Sequence, residues 1–422
     1  MVVELVNTGS ELMLGRVLNS HQQWLCRQLS DSGWTVARQT AVPDRDADIE
    51  QVVREALGRA DLVITTGGLG PTSDDLTRDR VAQLLGKTLS EDRAVLAHIE
   101  EFFQVRHRPI PERTRVQAMV PEGAIVLHNS HGTAPGLAIE VKHGVLHPGD
   151  GSSWLVMLPG PPRELRPMFT ASVLPLLRRV LPPRGQFVCR TLRSTGIGES
   201  MVEQRIADVL RDLVSAGLEL GYCARPGQVD VRLAAHGPRA EDIVNAAEKA
   251  VLDRLGAEVF GREDDELENV VVRSLAERKE TLALAESCTG GAIAHRLTNV
   301  PGASAVLLGA LVTYSNEAKQ TLLGVHTATL AEHGAVSEPV AREMAQGARK
   351  QLQSTYAVSV SGIAGPSGGT VTKPVGTVFI ALAGPFETVS ERNFNPFDRE
   401  TFKQVTAQQA LDLLRRKLLA LA

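Results

Sequence analysis

Along its N-terminal part the chain alternates short apolar runs with longer stretches whose apolar positions recur every three or four residues. "VVELV" gives way to "NSHQQWLCRQLSDSG", "WTVARQTAV" to "DADIEQVVREALGRA", and "DLVITT" to "LTRDRVAQLLG". The short runs, rich in β-branched residues, read as strands, and the longer recurrence reads as amphipathic helix. Strand followed by helix, repeated, predicts a parallel sheet with helices on its faces, where ligands gather at the carboxyl ends of the strands.

Between about Ala171 and Ala257 the pattern changes to strand, helix, strand, strand, helix: "QFVCRTLRS", "GESMVEQRIADVL", "GLELGYCAR", "QVDVRLAAH" and "AEDIVNAAEKAVLDRLG". That order suits a small split β-α-β unit. From about Arg262 a helical stretch, "DELENVVVRSLAERK", leads into the strand "TLALAES", alternation resumes, and the chain closes on the long helix "DRETFKQVTAQQALDLLRRKLLAL". The expectation is an α/β, multidomain chain with domains at 1–170, 171–258 and 259–422. No tandem repeat relates them, although the first and last both place Thr-Gly-Gly after an apolar strand.

Composition acts mainly by exclusion. A chain of 422 residues exceeds one ordinary core. Hydrophobic content of 43% and charge of 22% are those of a soluble globular protein. The net charge of -4, the lack of a long basic run and an aromatic share of 4% argue against direct nucleic-acid binding, while leaving small anions as ligands. Cys26, Cys189, Cys223 and Cys288 are scattered without metal-ligand spacing, as expected of a reduced, cytoplasmic protein. Neither a leader nor a membrane-spanning run is evident, so no membrane partner is expected.

Candidate chemistry sits where strands hand over to helices. In "TTGGLGPTSDDLTRD", Gly67, Gly68 and Gly70 allow a sharp turn and close approach to a ligand. Thr72 and Ser73 can donate to phosphate oxygens, and a helix starting near Leu76 adds its positive end. Asp74 and Asp75 beside a phosphate cradle make sense if a divalent metal ion bridges them to the ligand. The alternative is that Ser73 and the aspartates cap the helix. "TGIGES" reads as a plain turn. "NSHGTAPGL", with Gly132 and Thr133, and "MLPGPPREL", where Pro161 or Pro162 suits a helix start, each read alone as structural turns.

In the last domain "LALAESCTGGAIAHRL" places Ser287, Cys288 and Thr289 at a strand-to-helix turn. One reading is a serine nucleophile, with the amides around Thr289, Gly290 and Gly291 receiving the developing negative charge. The other is a tight turn capped by Ser287 or Thr289. No histidine is convincing as the base: His295 falls inside the helix, and His326 and His333 flank a loop. "LVTYSNEAKQTLLGV" offers Tyr314, Ser315 and Lys319. A helix starting at Ser315 or Asn316 places Lys319 about its first turn, where the helix dipole lowers its pKa as a neutral base requires. A solvated lysine is the alternative. "SVSGIAGPSGGTVTKPVGTVFIAL" gathers Ser361, Gly362, Gly365, Gly368, Gly369 and Lys373, as backbone wrapped round a ligand or as a surface excursion.

"TGGLGPTSDDLTRD", "GTAPG" and "LPGPPREL" resemble the first domain of the CinA family, the competence/damage-inducible proteins, whose fold is that of molybdopterin-binding proteins. "AESCTGG", "YSNEAK", "GAVSEPVAREMA" and "GIAGPSGGT…KPVGTV" resemble its C-terminal nicotinamide mononucleotide deamidase domain, and the middle segment resembles its KH-like domain. The resemblance implies that the last domain hydrolyses nicotinamide mononucleotide to nicotinate mononucleotide and ammonia without a cofactor. Ser287 would be the nucleophile, Lys319 its base, and Tyr314 would shape the site. Thr289 and Ser361 would hold the amide, Gly290, Gly291 and Gly365 would border the substrate, and Arg399 would meet its phosphate. For the first domain it implies metal-dependent hydrolysis of ADP-ribose to AMP and ribose 5-phosphate, with Gly67, Gly68, Gly70, Thr72, Gly132 and Thr133 around the nucleotide and Asp74 and Asp75 linked to the metal. A homodimer is also implied. Two positions depart from the family pattern: Ser361 replaces a threonine, and Phe397 stands where a glycine usually precedes Asp-Arg, which bears on the placement of Arg399. A non-hydrolytic pterin- or nucleotide-binding first domain and an accessory role in competence or DNA damage are the alternative functions.

Overall fold

The computed structural model describes residues 1–144, 146–147, 151–183 and 185–420. It folds as two compact units, Met1–Phe187 and Val188–Ala422.

In the first unit, β1 (Val3–Thr8), β2 (Val36–Val42), β3 (Leu62–Thr66), β4 (Ile125–Leu127), β5 (Gly136–Lys142) and β6 (Ser152–Leu158) form one sheet in the order β2-β1-β3-β6-β5-β4. The pairs β1/β2, β1/β3 and β3/β6 are parallel, and β5 and β4 add antiparallel. Side chains alternate between faces, so Val6, Val63 and Leu155 enter one core while Leu5, Ile64 and Val156 enter the other. Both faces are covered by helices, among them α1 (Ser20–Asp31), α2 (Asp46–Leu57), α3 (Thr77–Leu84), α4 (Arg93–Gln104), α5 (Pro162–Met168) and α6 (Leu174–Val180). In α2 the buried residues Ile49, Val52, Val53, Ala56 and Leu57 follow the helical period and form one stripe. Each large member contributes about 2 kcal/mol of transfer free energy, and a charge at Val53 would break the stripe.

Strand β1 runs two residues beyond its apolar run. Asn7 and Thr8 stay in the ladder with side-chain donors paired inside: Asn7 Nδ2 donates to Thr66 Oγ1 at 2.7 Å and Thr8 Oγ1 to Thr66 O at 3.3 Å. Pro161 precedes α5 and Pro162 opens it, as the sequence suggested.

The second unit holds two sheets. In the smaller one, β7 (Phe187–Thr195), β8 (Leu218–Arg225), β9 (Gln228–His236) and β10 (Val259–Arg262) take the order β8-β9-β7-β10. Helices α7 (Glu199–Ser215) and α8 (Ala240–Leu255) pack on the row Val229, Val231, Leu233 and Ala235. Because β10 pairs with β7, this sheet draws on residues either side of position 258.

The larger sheet comprises β11 (Leu282–Glu286), β12 (Leu307–Val312), β13 (Tyr356–Gly362), β14 (Thr377–Ala383) and β15 (Thr388–Phe394), in the order β12-β11-β13-β14-β15. β11 lies second from one edge and is parallel to both neighbours. Leu282 and Leu284 share a core with α9 (Leu267–Arg278), α10 (Ala292–Thr298) and α14 (Arg399–Ala420). Ala283 and Ala285 face α11 (Asn316–Leu323), α12 (Thr327–His333) and α13 (Glu338–Leu352). Gly347 of α13 lies so close to the end of α11 that a Cβ would stand 1.9 Å from the Leu323 carbonyl oxygen. Among the described residues no helix is long and apolar enough to cross a membrane.

Candidate active sites

The chain reverses its winding direction at β11, which has β12 on one side and β13 on the other. Such a switch point leaves a crevice beyond the strand ends. Ser287 follows β11, Thr313 follows β12 and Ser361 lies near the end of β13. The ladder continues into the turn, with Ser287 N donating to Val360 O at 3.1 Å and Thr313 N to Glu286 O at 2.8 Å. The nucleophile candidate thus stands on rigid sheet.

Neither capping residue expected from the sequence caps α10. Its N-cap is Gly291, which makes no side-chain cap bond. Glu286, 0% exposed, reaches forward instead: Oε2 accepts from Gly291 N at 3.0 Å and Ile293 N at 3.2 Å, and Oε1 from Ala294 N at 2.8 Å. A buried carboxylate is tolerable here because helix-end amides surround it. Sequence reading passed over Glu286 as the last residue of a strand; its signal was a lone carboxylate entering a turn of small residues before a helix.

Lys319 sits in the first turn of α11, which starts at Asn316 and is capped by Ser315 Oγ accepting from Ala318 N at 3.0 Å. Its side chain is 1% exposed. Nζ lies 3.1 Å from Ser287 Oγ and 2.8 Å from the Thr313 carbonyl oxygen. Burial pushes the lysine below its ordinary pKa, slightly opposed by the Cys288 thiol. Burial also pushes the Cys288 thiol up to about 12, so it is inert beside the serine.

Ser287, Tyr314, Lys319, Ser361, Gly365 and Arg399 line one cavity of about 290 Å3. Arg399 donates to the Gly365 carbonyl at 2.9 Å and to the Tyr314 hydroxyl at 2.7 Å, so Phe397, half exposed, does not remove it from the site. The Ser361 hydroxyl donates to Ala335 O at 2.6 Å. Thr289, Gly290 and Gly291 do not line the cavity. Thr289 is fully buried, its hydroxyl without a hydrogen-bond partner among the described residues. The Gly290 amide donates to Ser287 O and the Gly291 amide to Glu286, so neither is free for an oxyanion. The Cys288 amide has no backbone acceptor among the described residues and faces only its own thiol.

In the first unit, a cavity of about 380 Å3 opens beyond β1, β3 and β6, again at a switch point of the sheet. Gly67, Gly68, Gly70, Asp74, Asp75 and Thr133 line it. Gly67 and Gly68 take φ of 98° and 66°. A Cβ on Gly68 would meet Thr77 Oγ1 at 2.1 Å, one on Gly67 the Thr8 carbonyl at 2.6 Å, and one on Gly70 the Asp75 carboxylate at 2.4 Å. These glycines therefore answer first to their own fold. Their turn still leaves the Gly68 and Gly70 amides without hydrogen bonds among the described residues, which is how a backbone nest receives an anion. The first amide of α3 is not free, because Thr77 N donates to Gly68 O.

Thr72 lies outside the cavity wall and folds onto Asp75, its amide donating to Oδ2 at 2.8 Å. Asp74 is exposed and held below its ordinary pKa by the Thr72 hydroxyl. Gly132 abuts Glu164, a buried carboxylate that accepts from Asn129 Nδ2 at 2.8 Å. Glu164 and Gln117 also line the cavity and were not singled out in the sequence. Among the described residues no group of three or more His, Cys, Asp or Glu side chains is placed to hold a metal ion. The described carboxylates alone are too few for a cation site, so a cation here would need further ligands from a bound anion.

Three family models match the chain: "Probable molybdopterin binding domain" over residues 4–179, "Damage-inducible protein CinA KH domain" over 189–261 and "CinA C-terminal domain" over 264–418. A protein of Symbiobacterium thermophilum with a provisional competence-damage inducible designation is 45% identical, the alignment covering 99% of this chain and 99% of that one. A CinA-like protein of Akkermansia muciniphila is 44% identical over 97% of this chain and 95% of its own. The crystal structure of the competence/damage inducible protein CihA from Agrobacterium tumefaciens aligns at 38% identity with 36% of this chain and 93% of its own, with a TM-score of 0.35.

Proposed function

The chain belongs to the CinA family, and from that premise we propose that it is a two-site hydrolase of pyridine nucleotide salvage. The Ser287 site hydrolyses the carboxamide of nicotinamide mononucleotide. The observation that carries this reading is the contact of Lys319 with Ser287 at 3.1 Å in a buried setting.

A neutral lysine amine has one lone pair and two N–H bonds. One N–H donates to the Thr313 carbonyl, and in the rotamer with the second N–H turned away from Ser287 the lone pair faces its hydroxyl. Lys319 takes the serine proton as Oγ bonds to the amide carbon, and the carbonyl oxygen becomes an oxyanion that falls to the Cys288 amide. When the C–N bond breaks, Lys319 returns the proton to the departing nitrogen, so ammonia leaves and an acyl-serine remains. Water, deprotonated by Lys319, then attacks the ester, and the proton passes back to Ser287, releasing nicotinate mononucleotide. Arg399, oriented by Tyr314 and Gly365, holds the substrate phosphate.

In the first unit the proposal is cleavage of ADP-ribose to AMP and ribose 5-phosphate, with the glycine-loop amides holding phosphate. Asp74, exposed at the cavity, would hold a divalent cation, which would supply charge neutralisation for the phosphates. A homodimer and a cytoplasmic setting belong to the same proposal. The tie of Asp75 to Thr72 favours a second reading for this unit, a nucleotide-binding module without turnover. The test is twofold: ammonia release from nicotinamide mononucleotide, and AMP release from ADP-ribose with magnesium or manganese. The Ser287→Ala variant loses the first and keeps the second. Loss of both, or of neither, overturns the assignment. ADP-ribose binding without AMP release selects the second reading for the first unit.

A further inference from the structure

We propose that the Ser287 site continues into a second subsite that takes the distal phosphate and nucleoside of a pyridine dinucleotide, with Lys403 as the residue that selects it. This rests on the mononucleotide reading of the Ser287 cavity. A separate cavity of about 480 Å3 lies between α10 and α14, with Ala292, His295, Arg399, Glu400, Lys403 and Ala407 in its wall. Arg399 is in the wall of both this cavity and the Ser287 cavity, so the two are neighbours across one side chain. A group bound to the phosphate at Arg399 has this cavity as its next space. The volume is that of an ordinary small-molecule site.

The charges favour a second phosphate. Arg296 is occupied by Glu268 at 2.6 Å and Gln408 at 2.7 Å. Asp398 is spent on capping α14 through the Glu400 and Thr401 amides. Lys403, half-buried, has no hydrogen bond or ion pair among the described residues, and its Nζ stands 3.9 Å from where a Cβ on Gly290 would lie. Arg399 and Lys403 are four residues apart on one helix face, about 6 Å along the axis. Like charges so placed weaken a helix, and near its amino end they also oppose the dipole. The helix gains nothing from this pair, whereas a diphosphate would bridge it. Glu400 in the same wall suits ribose hydroxyls, and Ala292 and Ala407 supply an apolar floor for a base with His295 at its rim.

A dinucleotide so bound excludes the mononucleotide, and the deamidation step then responds to the finished class of product. The experiment measures inhibition by NAD of nicotinate mononucleotide formation, in the full chain and in Lys403→Glu, with anisotropy of etheno-NAD on both proteins as a readout independent of turnover. The expected result is inhibition competitive with nicotinamide mononucleotide, and a rise in the inhibition constant of Lys403→Glu at least tenfold larger than any rise in KM. Etheno-NAD affinity falls in parallel. Equal etheno-NAD affinity in the two proteins, or an inhibition constant that moves only as far as KM, overturns the subsite. Absence of ammonia release from the unsubstituted chain overturns the deamidase reading instead, and the anisotropy comparison still decides the subsite.

Discussion

Replacing Glu286 with glutamine removes one charge from the turn that carries Ser287 while nearly keeping the side-chain shape. The carboxylate accepts three amide bonds in a fully buried position. Glutamine has one acceptor oxygen. With that oxygen toward Gly291 and Ile293, its NH2 faces the Ala294 N–H, donor against donor. In this better orientation one bond to a charged acceptor is lost, about 1.5–3 kcal/mol, and the other two fall to neutral strength, about 1 kcal/mol each. Relaxation of so short a helix recovers part, leaving about 2–4 kcal/mol. At about 2–4 °C per kcal/mol, the second unit should melt about 5–15 °C lower. Calorimetry of the full chain reads this against the first unit as an internal reference, and amide exchange over residues 287–298 should accelerate. A shift below about 0.5 kcal/mol with unchanged exchange would show that the amides find other partners and that Glu286 does not hold the turn.

Lys319→Ala should lower ammonia release by about 10²–10⁴-fold while far-ultraviolet circular dichroism stays native; release within tenfold of the parent would remove the lysine from the chemistry. Because burial lowers the pKa of Lys319, kcat/KM should rise with pH and level off once the folded lysine is neutral. Stability should rise as well between that lowered value and the ordinary lysine value, since the unfolded chain there binds more protons; a flat pH–rate profile from neutral to alkaline counts against the base assignment. The Cys288 thiol, pushed up to about 12, should resist iodoacetamide in the folded protein while exposed Cys223 reacts, as peptide mapping would show. In the first unit, Gly68→Ala sets a Cβ 2.1 Å from Thr77 Oγ1 at a φ of 66° and should destabilise that unit by about 2 kcal/mol or more in denaturant melts, with ADP-ribose affinity falling.

Helix was legible where periodicity had a single face to report, as in α2, and strand where a short β-branched run is buried on both faces, as in β3. Ser287 and Lys319 were legible because small residues before a helix and a lysine in a first turn are unusual local choices. Their partners were not. Glu286 and Thr313 act through a carboxylate and a main-chain carbonyl whose targets depend on which strands lie side by side, and strand order is a long-range property. The glycines of the first unit were noticed for ligand approach, but their nearest constraint is Thr8, Thr77 and Asp75 packed beneath them. The same limit applied to Gly290 and Gly291, whose amides turn inward to the fold.

Gly347 touches neither cavity, yet the space left by its missing side chain is where the end of α11, the helix bearing Lys319, comes to rest. The freedom of this site to vary in descent is therefore limited from behind as well as from the substrate side. A lineage could exchange exposed residues around the rim and keep its chemistry. Even an alanine at position 347 would press on the end of the helix that carries Lys319, so a substitution outside the cavity wall reaches that lysine through its own helix.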